Sequence, residues 1–317
     1  METSIKHLSY YQTGGTVEKL YEPLCKAELQ AACREIKTQN LPYFVLGGGT
    51  NSLVCDTPFL GAVISLGHMS HIKNENSKLI CEAGATNTAI AEFALENHLE
   101  GAAWMNYLPG QIGGTTRMNA RCYGGEISQI ASHILTVDES GEEQVYAGGT
   151  QTFQGYKNTI FMTLPVIIYE VHLDLLKTKN VATIIEKMNF CRDDRISKSQ
   201  FLFPSCGCVF KNNYAFGIPS GVLLDAAGAK DLSFKGAKVN PHHANFIFNH
   251  DDATSDAILQ LSFLMRNAVH AEFGIWLEYE MEILGTLSET QNNRFFERKP
   301  NNPNIKFEAL KQKISKK

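Results

Sequence analysis

Leu46-Gly47-Gly48-Gly49-Thr50-Asn51-Ser52 decides how this chain is read. It closes the strand-like run Pro42-Tyr-Phe-Val-Leu46, so the chain leaves a strand and enters a turn with almost no side-chain bulk. Backbone N–H groups in such a turn can form a nest for an anion. A dinucleotide-binding fingerprint would need a third Gly or Ala where Ser52 sits, and a helix directly behind it. Leu53-Val-Cys-Asp-Thr-Pro58 reads instead as another strand and a turn, so that fold is disfavoured. Taken alone, the loop is equally compatible with a tight turn that binds nothing.

Outward from this loop the elements are mixed. A helix is expected over about Lys26 to Lys37, where Leu29, Ala32, Cys33 and Ile36 share a face. Strands are expected at Ala62 to Leu66, Lys78 to Cys81, His133 to Val137 and Val166 to Leu173, with a helix at Thr88 to Asn97. Asp138-Glu-Ser-Gly141 reads as a hairpin turn leading to Gln144-Val-Tyr146. There is no regular strand–helix alternation, which favours an α+β fold over a doubly wound sheet. From Leu175 to Ser199 the chain turns polar around a short helix at Val181 to Phe190, and a domain boundary is placed near residue 180. Beyond it, Ser255 to Phe273 carries an apolar stripe of Ile258, Leu261, Leu264, Met265, Ala268 and Val269, with Thr254 or Asp251 at its start and Gly274 at its end. The Asn-rich, basic stretch after Glu289 reads as a tail with some terminal helix.

The 317 residues suggest two or three compact units, and 44% hydrophobic with 20% charged residues is the composition of a globular protein. Lys and Arg number 29 against 33 Asp and Glu, a net charge of −4, so no basic field recommends nucleic acid or an anionic membrane as a partner. The apolar run Ile160 to Tyr169 is interrupted by Thr163 and Pro165 and is too short to span a bilayer. No signal-peptide pattern is seen over Met1 to Thr13. The eight cysteines, at 25, 33, 55, 81, 122, 191, 206 and 208, are scattered rather than framed, which points to reduced thiols in a cytoplasm.

A second glycine cluster, Leu108-Pro-Gly-Gln-Ile-Gly-Gly-Thr-Thr-Arg-Met-Asn-Ala120, precedes Tyr123-Gly-Gly-Glu126. A segment this lean suits backbone laid against a flat ligand, although spacing alone also allows an elaborate loop. Cys206 and Cys208, with His242 and His243 downstream, invite a metal site, but ligand pairs are more often two residues apart, and metal binding is disfavoured. Alternation would place Cys206 and Cys208 on one strand face as small buried residues. His243 reads as a core histidine, Lys157 as a surface lysine, and Glu278, Glu280 and Glu282 as a solvated strand face.

Taken in order, several motifs resemble one family. They are Leu46 to Cys55, Pro109 to Ala120, Tyr123 to Ser128, Gly155-Tyr-Lys-Asn-Thr-Ile-Phe161, Pro204-Ser-Cys-Gly-Cys-Val-Phe-Lys-Asn212, His243-Ala-Asn-Phe-Ile-Phe-Asn249 and Gly274 to Gly285. The chain is similar, from about Tyr10 to Gly285, to the UDP-N-acetylenolpyruvoylglucosamine reductases (UDP-N-acetylmuramate dehydrogenases) of peptidoglycan synthesis. The resemblance implies an FAD-binding unit of the vanillyl-alcohol-oxidase superfamily at 1–180, in two lobes meeting near residue 66. A substrate-binding α+β domain at 181–285 and a tail at 286–317 would follow. It also implies noncovalent FAD, reduced by NADPH, which passes hydride to the enolpyruvyl group of a nucleotide-sugar substrate.

On the same resemblance, Gly47, Gly48, Gly49, Thr50, Asn51 and Ser52 cradle the FAD pyrophosphate, while Pro109, Gly110, Ile112, Gly113, Gly114 and Asn119 line the flavin ring. Tyr156, Lys211 and Asn212 are implied as substrate contacts. The family's catalytic Arg, Ser and Glu fall on Lys157, Cys208 and Glu280, so only the Glu is unchanged. Lysine keeps the charge without the planar fork, and a thiol is a weaker hydrogen-bond donor than a hydroxyl but a stronger acid. These departures leave two other readings open: a flavoprotein of the same fold with another substrate, or a degenerate FAD- or nucleotide-binding protein that no longer catalyses.

Overall fold

The four-residue and three-residue spacing of Leu29, Ala32, Cys33 and Ile36 does form a helix, α1 (Lys26–Thr38), and those four are its buried face. The computed structural model describes residues 3–315. It divides into two compact units, one taking in residues 17–48 and 60–195, the other residues 4–16, 49–59 and those from 196 onward.

The first unit's two larger sheets are a four-stranded and a five-stranded one. In one, Phe59–Ser65 lies between Thr16–Tyr21 and Tyr43–Leu46, and its pairing with the latter is parallel, Tyr43 beside Ala62 and Leu46 beside Ser65. The chain leaves this sheet at Ser65 and enters the second at Ile72. There Glu143–Ala147, Ala131–Asp138, Val166–Asp174, Lys78–Glu82 and Ile72–Glu75 follow one another, antiparallel throughout. The Asp138 carboxylate accepts from the N–H groups of Ser140 and Glu142, which closes the expected hairpin. α2 (Asn87–Glu96) starts at Thr86, whose hydroxyl accepts from Ala89 N–H. α3 (Ile112–Arg117) is short and packs on the second sheet.

The divide between the compact units falls after Arg195, where a boundary near residue 180 was expected, and α4 (Val181–Ser197) contains and extends the helix expected at Val181 to Phe190. Ile184, Met188, Cys191 and Arg195 recur at three- and four-residue spacing and form the helix's buried face. Ile184 and Met188 join the core around Trp104, Ile134 and Val171, so α4 belongs with the first unit.

In the second unit, Ala237–Val239 pairs with Ser233–Phe234 and Ile247–Asn249, and α5 (Ser220–Ala226) and α6 (Ser255–Phe273) pack nearby. Thr254 caps α6 by accepting from Ala257 N–H, and Gly274 ends it at φ +69°. The expected stripe of α6 holds at Ile258, Leu261, Met265 and Val269, whereas Leu264 is exposed and Phe263 and Arg266 are buried in its place. The cause lies in the residues after 285. The helix expected in that tail is present as α7 (Glu289–Phe296) and α8 (Ile305–Ser315), and Phe295 and Phe307 enter the core against α6. Among the described residues no helix is long and apolar enough to cross a membrane.

The Gly274 turn can be tested. A Cβ there would stand 2.0 Å from the Asn302 carbonyl oxygen, in a backbone region that disfavours side chains, so Gly274→Ala should cost about 1–3 kcal/mol in urea denaturation. Thr254→Ala at the other end of the helix should cost about 1 kcal/mol.

Candidate active site

In the first unit the Pro109–Asn119 segment is held from behind. Asn87, fully buried at the start of α2, donates its N–H to Gly110 O (3.1 Å), donates its amide to Pro109 O (3.4 Å) and accepts from the Thr115 hydroxyl (2.9 Å). Ile112 is buried, its N–H given to Ala85 O. Gly113 sits so close to the sheet that a Cβ would be 2.9 Å from Ala83 Cβ, whereas a Cβ on Gly114 would meet no atom within 4 Å. Gln111 is a residue the sequence reading missed. Its side-chain amide lies 3.5 Å from the Cβ position of Gly47 and 3.6 Å from that of Gly67, so it ties this segment to the first glycine loop.

Asn119, expected to line a flavin, is buried at φ +43° and donates its amide to Glu126 Oε1 (2.6 Å) and Gly155 O (2.9 Å). Gly155 begins a tight hairpin in which Phe153–Gly155 pairs with Asn158–Thr159, and Tyr156 and Lys157 form the tip. Lys157 is half-buried at φ +52°, so it is not the freely solvated lysine of the surface reading. Its charge opposes the burial that pushes the Cys122 thiol up to about 11.

Gly48 closes the first unit's segment, and Gly49 to Ser52 belong to the second. Gly49 has φ +65°, and a Cβ on it would stand 2.6 Å from Leu8 O, so no side chain fits. Asn51 and Ser52 have a partner that sequence did not announce. The Asn51 amide donates to Glu280 O (3.0 Å), Glu282 N–H donates to Asn51 O (2.9 Å), and Ser52–Val54 pairs in parallel with Glu282–Leu284. Thr50 O lies 3.6 Å from the Cβ position of Gly207.

Cys206 and Cys208 do not share a strand face, because Gly207 at φ +78° breaks the alternation. Cys206 is buried and Cys208 half-buried. Burial pushes the Cys206 thiol up to about 12, so it stays neutral. The segment after Cys208 runs antiparallel to the one around Glu280, with Glu280 N–H on Val209 O and Lys211 N–H on Glu278 O, both at 2.9 Å. The solvated-face reading fails here. Glu280 is 9% exposed, whereas Glu278 is exposed and Glu282 half-buried. Asn212 accepts from Ser220 N–H (2.9 Å), which spends its side-chain oxygen at the head of α5. His243 is half-buried with its ring 4.5 Å from that of Phe246. Among the described residues, no group of three or more His, Cys, Asp or Glu is set to hold a metal ion.

Residues 18–144 match the model of an FAD-binding domain, and residues 197–284 that of the C-terminal domain of UDP-N-acetylenolpyruvoylglucosamine reductase. A reductase of that name from Borrelia garinii subsp. bavariensis is 36% identical over 286 residues, covering 88% of this chain and 92% of that protein. The one from Borreliella burgdorferi is 35% identical, covering 88% and 93%. This chain belongs to the UDP-N-acetylenolpyruvoylglucosamine reductase family. The crystal structure of the family's Thermus caldophilus member superposes with a TM-score of 0.74 at 28% identity, covering 90% of this chain and 98% of that one.

The family's flavin can be tested against the residues present. Gly114 is exposed, and a Cβ on it would meet no atom within 4 Å. Gly47 likewise has only the Gln111 amide near it. Lean backbone with room in front of it fits a large planar cofactor. Gly114→Ala should therefore leave the stability of the apoprotein unchanged and weaken FAD binding about tenfold or more, a loss of about 1.4 kcal/mol, by fluorescence titration. Gly113→Ala should lower the melting temperature instead, because its Cβ has no space.

Proposed function

We propose that Cys208 supplies the proton and Lys157 the positive charge in the reduction that this family catalyses. The chain is an FAD-dependent oxidoreductase of peptidoglycan precursor synthesis, reducing the enolpyruvyl group of UDP-GlcNAc-enolpyruvate. When bound, FAD would supply the hydride for the enolpyruvyl group, and NADPH is the proposed source of that hydride.

The chain's own residues must manage the charge. Hydride addition leaves negative charge on the neighbouring carbon and its carboxylate, which requires a cation and then an acid. Lys157 offers an ammonium from a hairpin whose position is held by the bond from Asn119 to Gly155 O. Without a planar fork it attracts a carboxylate but orients it less well than arginine. Of the two neighbouring thiols, Cys206 is buried and neutral, which leaves the half-buried Cys208 to exchange a proton. Glu280 is assigned with Cys208 because its N–H is bonded to the oxygen of Val209, the residue that follows the thiol. That bond is the observation that carries the assignment.

Lys211, Tyr156 and the amide nitrogen of Asn212 are proposed to contact the nucleotide sugar. Eight free thiols support a cytoplasmic protein.

An anaerobic two-step titration tests this. NADPH should bleach the bound flavin, and UDP-GlcNAc-enolpyruvate should restore the oxidised spectrum. Bleaching without recovery would mean another substrate or lost catalysis. Cys208→Ala should slow the recovery step by about 10²- to 10⁴-fold, Cys208→Ser should keep it, and Lys157→Arg should lower KM for the enolpyruvate. Recovery at the normal rate in Cys208→Ala would remove the acid role from this residue.

A further inference from the structure

The match to the family's C-terminal domain ends at residue 284, yet the chain beyond it is built into the second unit. Phe295 on α7 is 8% exposed and lies flat on Tyr279, with ring centroids 4.3 Å apart and planes 12° from parallel. Tyr279 lies in turn against Phe210, at 5.0 Å and 29°. These two inner rings belong to the paired backbone already described. Phe210 comes two residues after Cys208, Tyr279 comes directly before Glu280, and the two residues are bridged to each other.

Both ends of this stack are anchored. At the inner end, Phe210 donates its N–H to the Asn245 side-chain oxygen (3.0 Å) and accepts from the Asn245 amide (2.8 Å). At the outer end, the buried Arg266 guanidinium donates to the main-chain oxygens of Arg294 and Phe295, holding the last turn of α7. The same guanidinium lies 4.5 Å from the Tyr279 ring centre, and the Tyr279 and Ser262 hydroxyls are 3.0 Å apart. The Tyr279 ring is therefore set by its contacts with Phe210, Phe295 and Arg266, and α7 supplies the Phe295 ring.

We infer that Phe295 is a positioning residue for the reduction: through Tyr279 and Phe210 its ring sets the alignment of the two segments that carry Cys208 and Glu280. This rests on the reading of Cys208 as the acid. A flat ring removed from the outer side frees the Tyr279 plane to tilt, and the backbone that tilts with it leads straight into Glu280. Proton transfer is sensitive to such movement, since a shift of about 1 Å can cost on the order of 10²-fold in rate.

The test uses the full-length holoenzyme and follows re-oxidation of the reduced flavin by UDP-GlcNAc-enolpyruvate in anaerobic stopped flow. Phe295→Leu should slow re-oxidation by about 10²-fold while bleaching by NADPH is unchanged, and Phe295→Tyr, which keeps the flat ring, should restore the rate. The deciding comparison repeats Phe295→Leu in the Cys208→Ala background. A residue that acts through Cys208 should add almost nothing there, because mutations in one functional unit are not additive. An equal penalty in both backgrounds, or none in either, would overturn the inference. If Cys208→Ala by itself left re-oxidation unchanged, the assignment of the acid would be the one to fail. Should Phe295→Leu not fold, Phe295→Met keeps the apolar bulk without the ring and allows the same comparison.

Discussion

The main chain of Glu280 is bonded on both sides, and much of the second unit is arranged around that fact. Its N–H reaches Val209 O and its carbonyl receives the Asn51 amide, so one residue is tied both to the segment after Cys208 and to the first glycine loop. Each bond contributes only about 1 kcal/mol of net stability. Their importance is geometric: the main chains that carry Cys208 and Glu280 are held together by paired backbone.

The glycines divide their work by surroundings. Gly113 is glycine because the sheet at Ala83 leaves no room, and Gly49 because the main chain at Leu8 leaves none in a left-handed turn. A Cβ on Gly114 would meet no atom within 4 Å, so packing does not explain its lack of a side chain. Adjacent glycines that look equivalent in the sequence thus have different surroundings, one pressed on the sheet and the other open.

The residues past 285 show how a polar stretch can still be structural. It has few apolar side chains, but Phe295 and Phe307 join the core cluster that includes Ile258, Leu261 and Met265 of α6, and Arg266 supplies hydrogen bonds to its main chain. With a cation buried against Trp276 and Tyr279, the guanidinium is both a hydrogen-bond donor and a packed surface.

Local features were legible from the sequence. The period of α1, the Thr254 cap and Gly274 end of α6, the Asp138 hairpin and the strand before the first glycine loop all depend on residues a few positions apart, and all were placed correctly. What sequence could not decide was which polar residues face inward. Glu278, Glu280 and Glu282 read as one solvated face, and only Glu280 is buried; Asn119 is buried too, and donates its amide to Glu126 and Gly155. Both outcomes are set by partners from other segments, in the case of Asn51 and Glu280 229 residues apart. Periodicity carries no information about such partners. The sequence by itself determined the elements and the chemistry available to them, and the tertiary structure decided which side chains were left to perform it, because burial and hydrogen-bond partnership exist only once distant segments meet.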